Sequence, residues 1–446
     1  MSLAETVLIE PVLTEKKKWK GYERSGVRGI LIFVIVALVP HDISFYTEQF
    51  EYYLNEDYKW RIIDRFTHYK GWFFENEDNN NYAGYIFTLL ASLILGAVWD
   101  KLDKKKRDFD IFYYWVETII RYVLMYRMSF YAITKLFPVQ MPFPTISQMN
   151  IPLGDFTPGK LYWLTTGAAT GFEIFAGMCE LLAIILLFFR RTVTLGALLM
   201  ISLLVPILAI NITYDAGVEL TAFDYLVLSG VLLVRDAKSL WEYFILHKTT
   251  ALTKLRRPLF NRPIQKLIQN GLKIAFVSVF FLFMSYQYSI ILAEGKSFKL
   301  PRERGLANTA GFYDVSLFKL NGKEIPNTPY DSTRWQNIVF EKHNTISIKI
   351  ARAIPLDKRN KVRTQEFFGN TGRVFYSFKA DTVKNTLELK NRADKNEVIK
   401  LNYQRTPQGN FVLSGVDNHR DSVYAVLNKI ERHYPLQGDK GPFVSR

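Results

Sequence analysis

The chain has 446 residues, with 57 Lys and Arg against 42 Asp and Glu, a formal net charge of +15 and one cysteine. A single cysteine rules out an internal disulfide, a multi-cysteine metal site and a paired-thiol relay. Hydropathy is unevenly spread: residues 1–295 hold long apolar runs, whereas 296–446 is polar and carries 27 Lys and Arg against 15 Asp and Glu.

Runs of about 18 or more mostly apolar residues read as membrane-spanning helices. Seven are expected, at about 25–43, 82–100, 110–137, 160–189, 192–213, 219–235 and 271–293. Residues 1–24 form a basic cytoplasmic segment, "EKKKWKGYERSGVR" overlapping its end, and no signal peptide is expected. The first run is cut short by Pro40, His41 and Asp42. The long loop 41–81 is acidic and aromatic ("TEQFEYYLNEDYKWRIIDRF"), the pattern of an amphipathic helix lying at an outer membrane interface. Residues 25–108 therefore form a two-helix N-terminal section, closed by the Lys-rich "DKLDKKKRDFD".

A four-helix section follows at 109–236. Its connection 137–159, "FPVQMPFPTISQMNIPLGDFTPG", is Pro-rich and expected to be extended and ordered, because proline removes backbone donors and fixes φ. Arg190 and Arg191 separate the fourth and fifth runs, and a basic linker at 237–270 precedes the seventh helix at 271–295. Basic and non-basic loops alternate, which places the N-terminus in the cytoplasm and residues 296–446 outside. From about residue 305 the pattern becomes alternating: "VSLFKL", "NTISIKIA", "RVFYSFKA", "NTLELKN", "EVIKLNYQ", "NFVLSGV" and "SVYAVLNKI" are strands separated by turns such as "NGKE" and "RADKN". The fold class is a polytopic α-helical membrane protein with a C-terminal antiparallel β domain, either barrel or sandwich. His343, His419 and His433 are flanked by polar residues and read as surface histidines. Without a stacking or basic-helix motif, nucleic acid is not an expected partner.

Charged residues inside a bilayer are costly and face protein or water-filled cavities. The third run holds Glu117, Arg121, Arg127 and Lys135; the fourth holds Glu173 and Glu180. At about 1.5 Å rise per residue, Arg121 lies about 18 Å and Arg127 about 27 Å from the inner end of their helix, and Glu180 about 15 Å and Glu173 about 26 Å from the inner end of theirs. Matching depths on antiparallel neighbours suggest the pairs Arg121–Glu180 and Arg127–Glu173, with Glu117 one turn from Arg121. Helical phase supports this in part, because Arg127 is turned away from Arg121. A second, outer cluster comprises Lys135, Asn211, Tyr214, Asp215, Glu219 and Asp224. Both groups admit two readings, ion pairs that fix helix register or a ligand- or proton-handling site. Cys179 reads as a small packing residue.

The stretches "YAITKLFPVQMP" and "GFEIFAGMCELLAIILLFFRRTVTLGALLMISLLVPILAINITYD" resemble the DoxX-like membrane proteins. The resemblance spans about residues 110–236 and rests on Lys135, on Gly177 with Glu180, and on Arg190, Arg191, Gly196 and Ala197. It is closest to the long bacterial form with an exported C-terminal domain. It implies a four-helix membrane unit, and through some family members a link to quinone-dependent oxidation, so a quinone is the one cofactor under consideration. The chain carries no metal, haem or flavin motif.

Three functions are therefore open. One is a non-enzymatic anchor in the bacterial inner membrane that presents a periplasmic β domain to envelope protein partners. The second is a quinone-linked oxidoreductase subunit, with Arg121, Glu180 and Lys135 at the quinone. The third is a small-molecule binder or transporter using the outward-facing polar cavity.

Overall fold

The computed structural model describes residues 19–40, 43, 45–48, 69, 82–103, 109–250, 258, 262–294, 299–301, 303–359, 365–394 and 396–437. The expected interfacial helix in 41–81 lies almost wholly outside these residues. Two compact units emerge, each built from separated stretches of chain: Met1–Phe130, Glu180–Leu208 and Val218–Met284 in the first, and Tyr131–Cys179, Ala209–Gly217 and Ser285–Arg446 in the second.

Among the described residues, each apolar run contains helix. The helices are α1 (Gly21–Leu38), α2 (Tyr82–Leu102), α3 (Phe109–Leu136), the single turn α4 (Ile146–Met149), α5 (Pro158–Ala168), α6 (Thr170–Phe188), α7 (Val193–Tyr214), α8 (Glu219–Leu233), α9 (Ala237–Phe244), α10 (Pro263–Val277) and α11 (Met284–Ala293). A π-helical stretch, Ser278–Phe283, joins the last two into one rod. Among the described residues, four helices are long and apolar enough to cross a membrane: Tyr82–Leu102, Thr170–Phe188, Arg190–Tyr214 and Pro263–Ala293. The other three of the seven expected segments fall short for identifiable reasons. Helix α1 carries Glu23, Arg24 and Arg28, and α3 carries Asp110, Glu117, Arg121, Arg127 and Lys135. Helix α8 has 15 residues, about 22 Å of rise against a hydrocarbon core of about 30 Å.

The expected continuous helix at 160–189 is instead broken at Ala169, which leaves helical geometry with φ −96° and ψ 59°. The break lies where small residues pack: a Cβ on Gly167 would sit 2.5 Å from the Pro142 carbonyl oxygen. The Pro-rich connection is not extended throughout either. Thr145 accepts from the Gln148 N–H and Gln148 reciprocates, a capping box that starts α4, and Leu153–Asp155 makes a 3₁₀ turn.

The C-terminal strands are β1 (Gly311–Leu320), β2 (Lys323–Glu324), β3 (Trp335–Phe340), β4 (Thr345–Ile350), β5 (Val374–Asp381), β6 (Thr386–Asn391), β7 (Val398–Arg405), β8 (Phe411–Val416) and β9 (Ser422–Ile430). Strand β1 pairs antiparallel with β3, each later strand from β3 to β9 pairs antiparallel with the next, and β1 also pairs with β9, so eight strands close into a barrel with the two-residue β2 beside β1. Asn321 and Gly322, both with positive φ, make the two-residue turn that sets the Leu320–Lys323 register. Alternate residues point inward and fill the barrel with side chains, among them Tyr313, Phe340, Phe378 and Phe411. Phe340 and Phe411 stack at 5.3 Å.

Candidate functional site

Among the described residues of the first unit, the buried arginines meet partners other than those that depth matching suggests. Arg235, at the end of α8, donates to both Glu117 carboxylate oxygens at 3.1 Å and to Asp236 at 2.8 Å. Asp236, fully buried, accepts from the Thr194 hydroxyl at 2.6 Å. This chain of contacts ties α3, the start of α7 and the end of α8. Arg121 donates to the Leu187 and Phe188 carbonyl oxygens at 2.6 to 2.9 Å. It thus satisfies the open carbonyls and negative dipole end of α6 rather than standing against Glu180. Glu180 itself is buried in α6.

Arg127, 1% exposed, donates to the Tyr69 carbonyl at 2.7 Å and lies 5.4 Å from the Tyr225 ring centre. Asp224 accepts from the Tyr85 hydroxyl at 3.3 Å. Ala37, Leu38, Tyr85, Arg127, Leu220, Thr221 and Asp224 surround a cavity of about 20 Å³, room for about one water. Two further arginines absent from the expected set join α1 to α2: Arg24 and Arg28 meet Asp100 at 2.9 and 2.6 Å, and Arg28 meets Asp103 at 2.6 Å.

In the second unit Glu173, 1% exposed, accepts from the Met141 N–H at 3.0 Å, and the Lys135 and Lys299 charges act on it. Lys135 also lies 5.6 Å from the Tyr131 ring. Asn211 is buried and its carbonyl accepts from the Ala216 N–H. Tyr214 packs on Tyr162 at 5.5 Å, and Asp215 turns the chain with φ 54°. Close to that turn, a Cβ on Gly159 would meet the Tyr214 and Asp215 carbonyl oxygens at 2.8 and 2.9 Å. The outer cluster is thereby divided: Lys135, Asn211, Tyr214 and Asp215 belong to this unit, and Glu219 and Asp224 to the first.

A polar network joins the Pro-rich connection to the outside of the barrel. Glu341, directly after β3 and 4% exposed, accepts from the Ser147 N–H and hydroxyl at 2.6 Å each and from the Ile146 N–H at 3.3 Å. The Ser347 hydroxyl donates to Ser147 at 2.8 Å. Lys160, fully buried, donates to the Gln365 carbonyl and lies 4.2 Å from the Phe368 ring. Backbone pairing of Thr157 with Gly369 and of Thr371 with Asp155 continues the seam. Behind it, Glu366 is fully buried and accepts from Arg392 and the Thr345 hydroxyl, with His343 at 2.5 Å.

Charge in this seam follows burial and pairing. Burial alone would lower the His343 pKa, but the Glu366 charge and hydrogen bond, aided by Glu341, outweigh it and hold it above the ordinary histidine value. Burial alone would raise Glu366, and His343 and Arg392 hold it below the ordinary carboxylate value. Glu341 is raised, by burial and by the nearby Glu366 charge. Lys160 is pushed down to about 7, chiefly by burial. His343 is therefore not a surface residue; its side chain is 14% exposed. His419 and His433 are exposed as expected.

Comparison with known proteins adds one partial likeness. No family model matches the chain. A stretch of 100 residues is 33% identical to the "Uncharacterized protein YwoB" of Bacillus subtilis (strain 168), covering 20% of this chain and 65% of that protein. The chain thus spans less than two thirds of that relative's length. No solved structure matches.

Proposed function

We propose that this chain is a DoxX-like integral protein of the bacterial inner membrane that anchors a β-barrel and holds it in fixed orientation for envelope protein partners. The reading is supported above all by one observation. The barrel shares a compact unit with the end of α3, the start of α6, the end of α7 and α11, and the seam through Glu341 and Ser147 ties the barrel to the connection between them. In an alternating bundle those four helix ends lie on one side of the bilayer. Seven crossings are part of the proposal: four of the five charges of α3 that depress its hydropathy, Asp110, Glu117, Arg121 and Arg127, are buried, so composition alone undercounts it.

The test is cysteine labelling in a Cys179→Ser background. A cysteine at Ser422 should react with a membrane-impermeant maleimide in intact spheroplasts, and one at Thr249 only after permeabilisation. The reverse pattern, or labelling of both, would overturn the orientation. Release of the chain by carbonate would overturn the membrane reading itself.

A further inference from the structure

We propose that α9 and the first turns of α10 form a basic platform that binds anionic phospholipid headgroups in the leaflet where α8 ends. The inference rests on the membrane-spanning reading of Pro263–Ala293.

Helix α9 starts from a fixed point. Its N-cap Asp236 is fully buried and held by Thr194, and Arg235 beside it is paired with Glu117. Beyond that anchor Leu240, Trp241, Phe244 and Ile245 fall on one helical stripe, with Lys238 at its edge and Glu242 across from it. Trp241 and Phe244 are each 60% exposed. Such a short helix, apolar and aromatic on one side and charged on the other, suits the headgroup boundary.

The second element has surplus length. Pro263–Ala293 has 31 residues, about 46 Å of helix against a hydrocarbon core of about 30 Å. The surplus is amphipathic: Ile264, Leu267, Ile268 and Leu272 are exposed on one side, while Lys266, Gln269, Asn270 and Lys273 lie on the other. Charge selects the lipid. Lys248, Arg262, Lys266 and Lys273 flank the two apolar stripes, and the sequence contains no Asp or Glu between Glu242 and Glu294. A zwitterionic surface gives these cations no net partner. Each basic side chain near an anionic surface favours it by about 1 kcal/mol, or about fivefold.

The experiment reconstitutes the full chain in phosphatidylcholine nanodiscs containing spin-labelled phosphatidylglycerol or, separately, spin-labelled phosphatidylcholine. The immobilised fraction at the protein surface is then compared. Wild type should immobilise the anionic probe about fivefold or more over the zwitterionic one at low salt, and 0.5 M salt should abolish the preference. The variant Lys248→Gln/Arg262→Gln/Lys266→Gln/Lys273→Gln should reduce that preference by at least about threefold. Equal immobilisation of both probes by wild type, or an unchanged preference in the variant, overturns the inference and leaves the anchor reading intact. Release of the chain by carbonate overturns both. The salt measurement needs no variant, so a poorly folding mutant does not remove the test.

Discussion

The residue that departs most from its surroundings is His343. It sits in "FEKHNT", among polar neighbours, yet it is held against the fully buried Glu366. Its pKa is raised, so its contribution to stability is complete below the ordinary value of 6.5 and is lost as pH climbs through the raised one. Glu366 is lowered, so its contribution is complete above 4.5 and lost as pH falls through the lower value. The pair is therefore most stabilising from about pH 4.5 to 6.5. His343→Gln should cost roughly 1–2 kcal/mol at pH 6, with the deficit shrinking towards pH 9; thermal melts of the two proteins across pH measure it. An equal deficit at both ends would mean that His343 acts by shape and not charge. None of this is legible locally, because Glu366 lies 23 residues away and its partner Arg392 26 residues beyond it.

At the scale of elements, apolar length was readable and side-chain partnership was not. All seven runs contain helix among the described residues, with 160–189 split at Ala169, because a long apolar run satisfies its own backbone wherever it sits. Depth matching, in contrast, considered only cations on the neighbouring span, and Glu117 found Arg235 from 118 residues away. Glycine packing was equally hidden. A Cβ on Gly96 would lie 2.4 Å from the Gly29 nitrogen, whereas one on Gly271 would meet nothing within 4 Å. The same substitution should thus act with opposite sign. Gly96→Ala should force α1 and α2 apart and lower stability by about 1–3 kcal/mol. Gly271→Ala should be neutral or gain up to about 1 kcal/mol from helix propensity. Melting temperatures in detergent, read by size-exclusion of the surviving fraction, compare the two directly.

For the whole molecule, the composition shift near residue 296 suggests a detachable domain. In the structure Tyr131–Cys179 falls in the same compact unit as the barrel. The alternation of the strands foretold the barrel core, but only one face of each strand was thereby explained. Outside that core, Phe375 of β5 and Phe367 in the turn before β5 pack with Ile151 and Phe156, and Phe368 of the same turn packs with Met141, Trp163 and Tyr162. Cutting the chain at 296 would bare those three phenylalanines, each worth roughly 1.5–3 kcal/mol when buried. It would also strip Glu341 of its three donors from Ile146 and Ser147. Isolated residues 296–446 should therefore bind a hydrophobic dye and aggregate, whereas the same fragment with 139–168 fused through a flexible linker should be monomeric and dye-silent. A soluble, dye-silent 296–446 would show that the seam orients the barrel without stabilising it. Rescue by the fusion would make the Pro-rich connection a structural part of the β domain, despite the more than 130 residues of helix and loop between them in sequence.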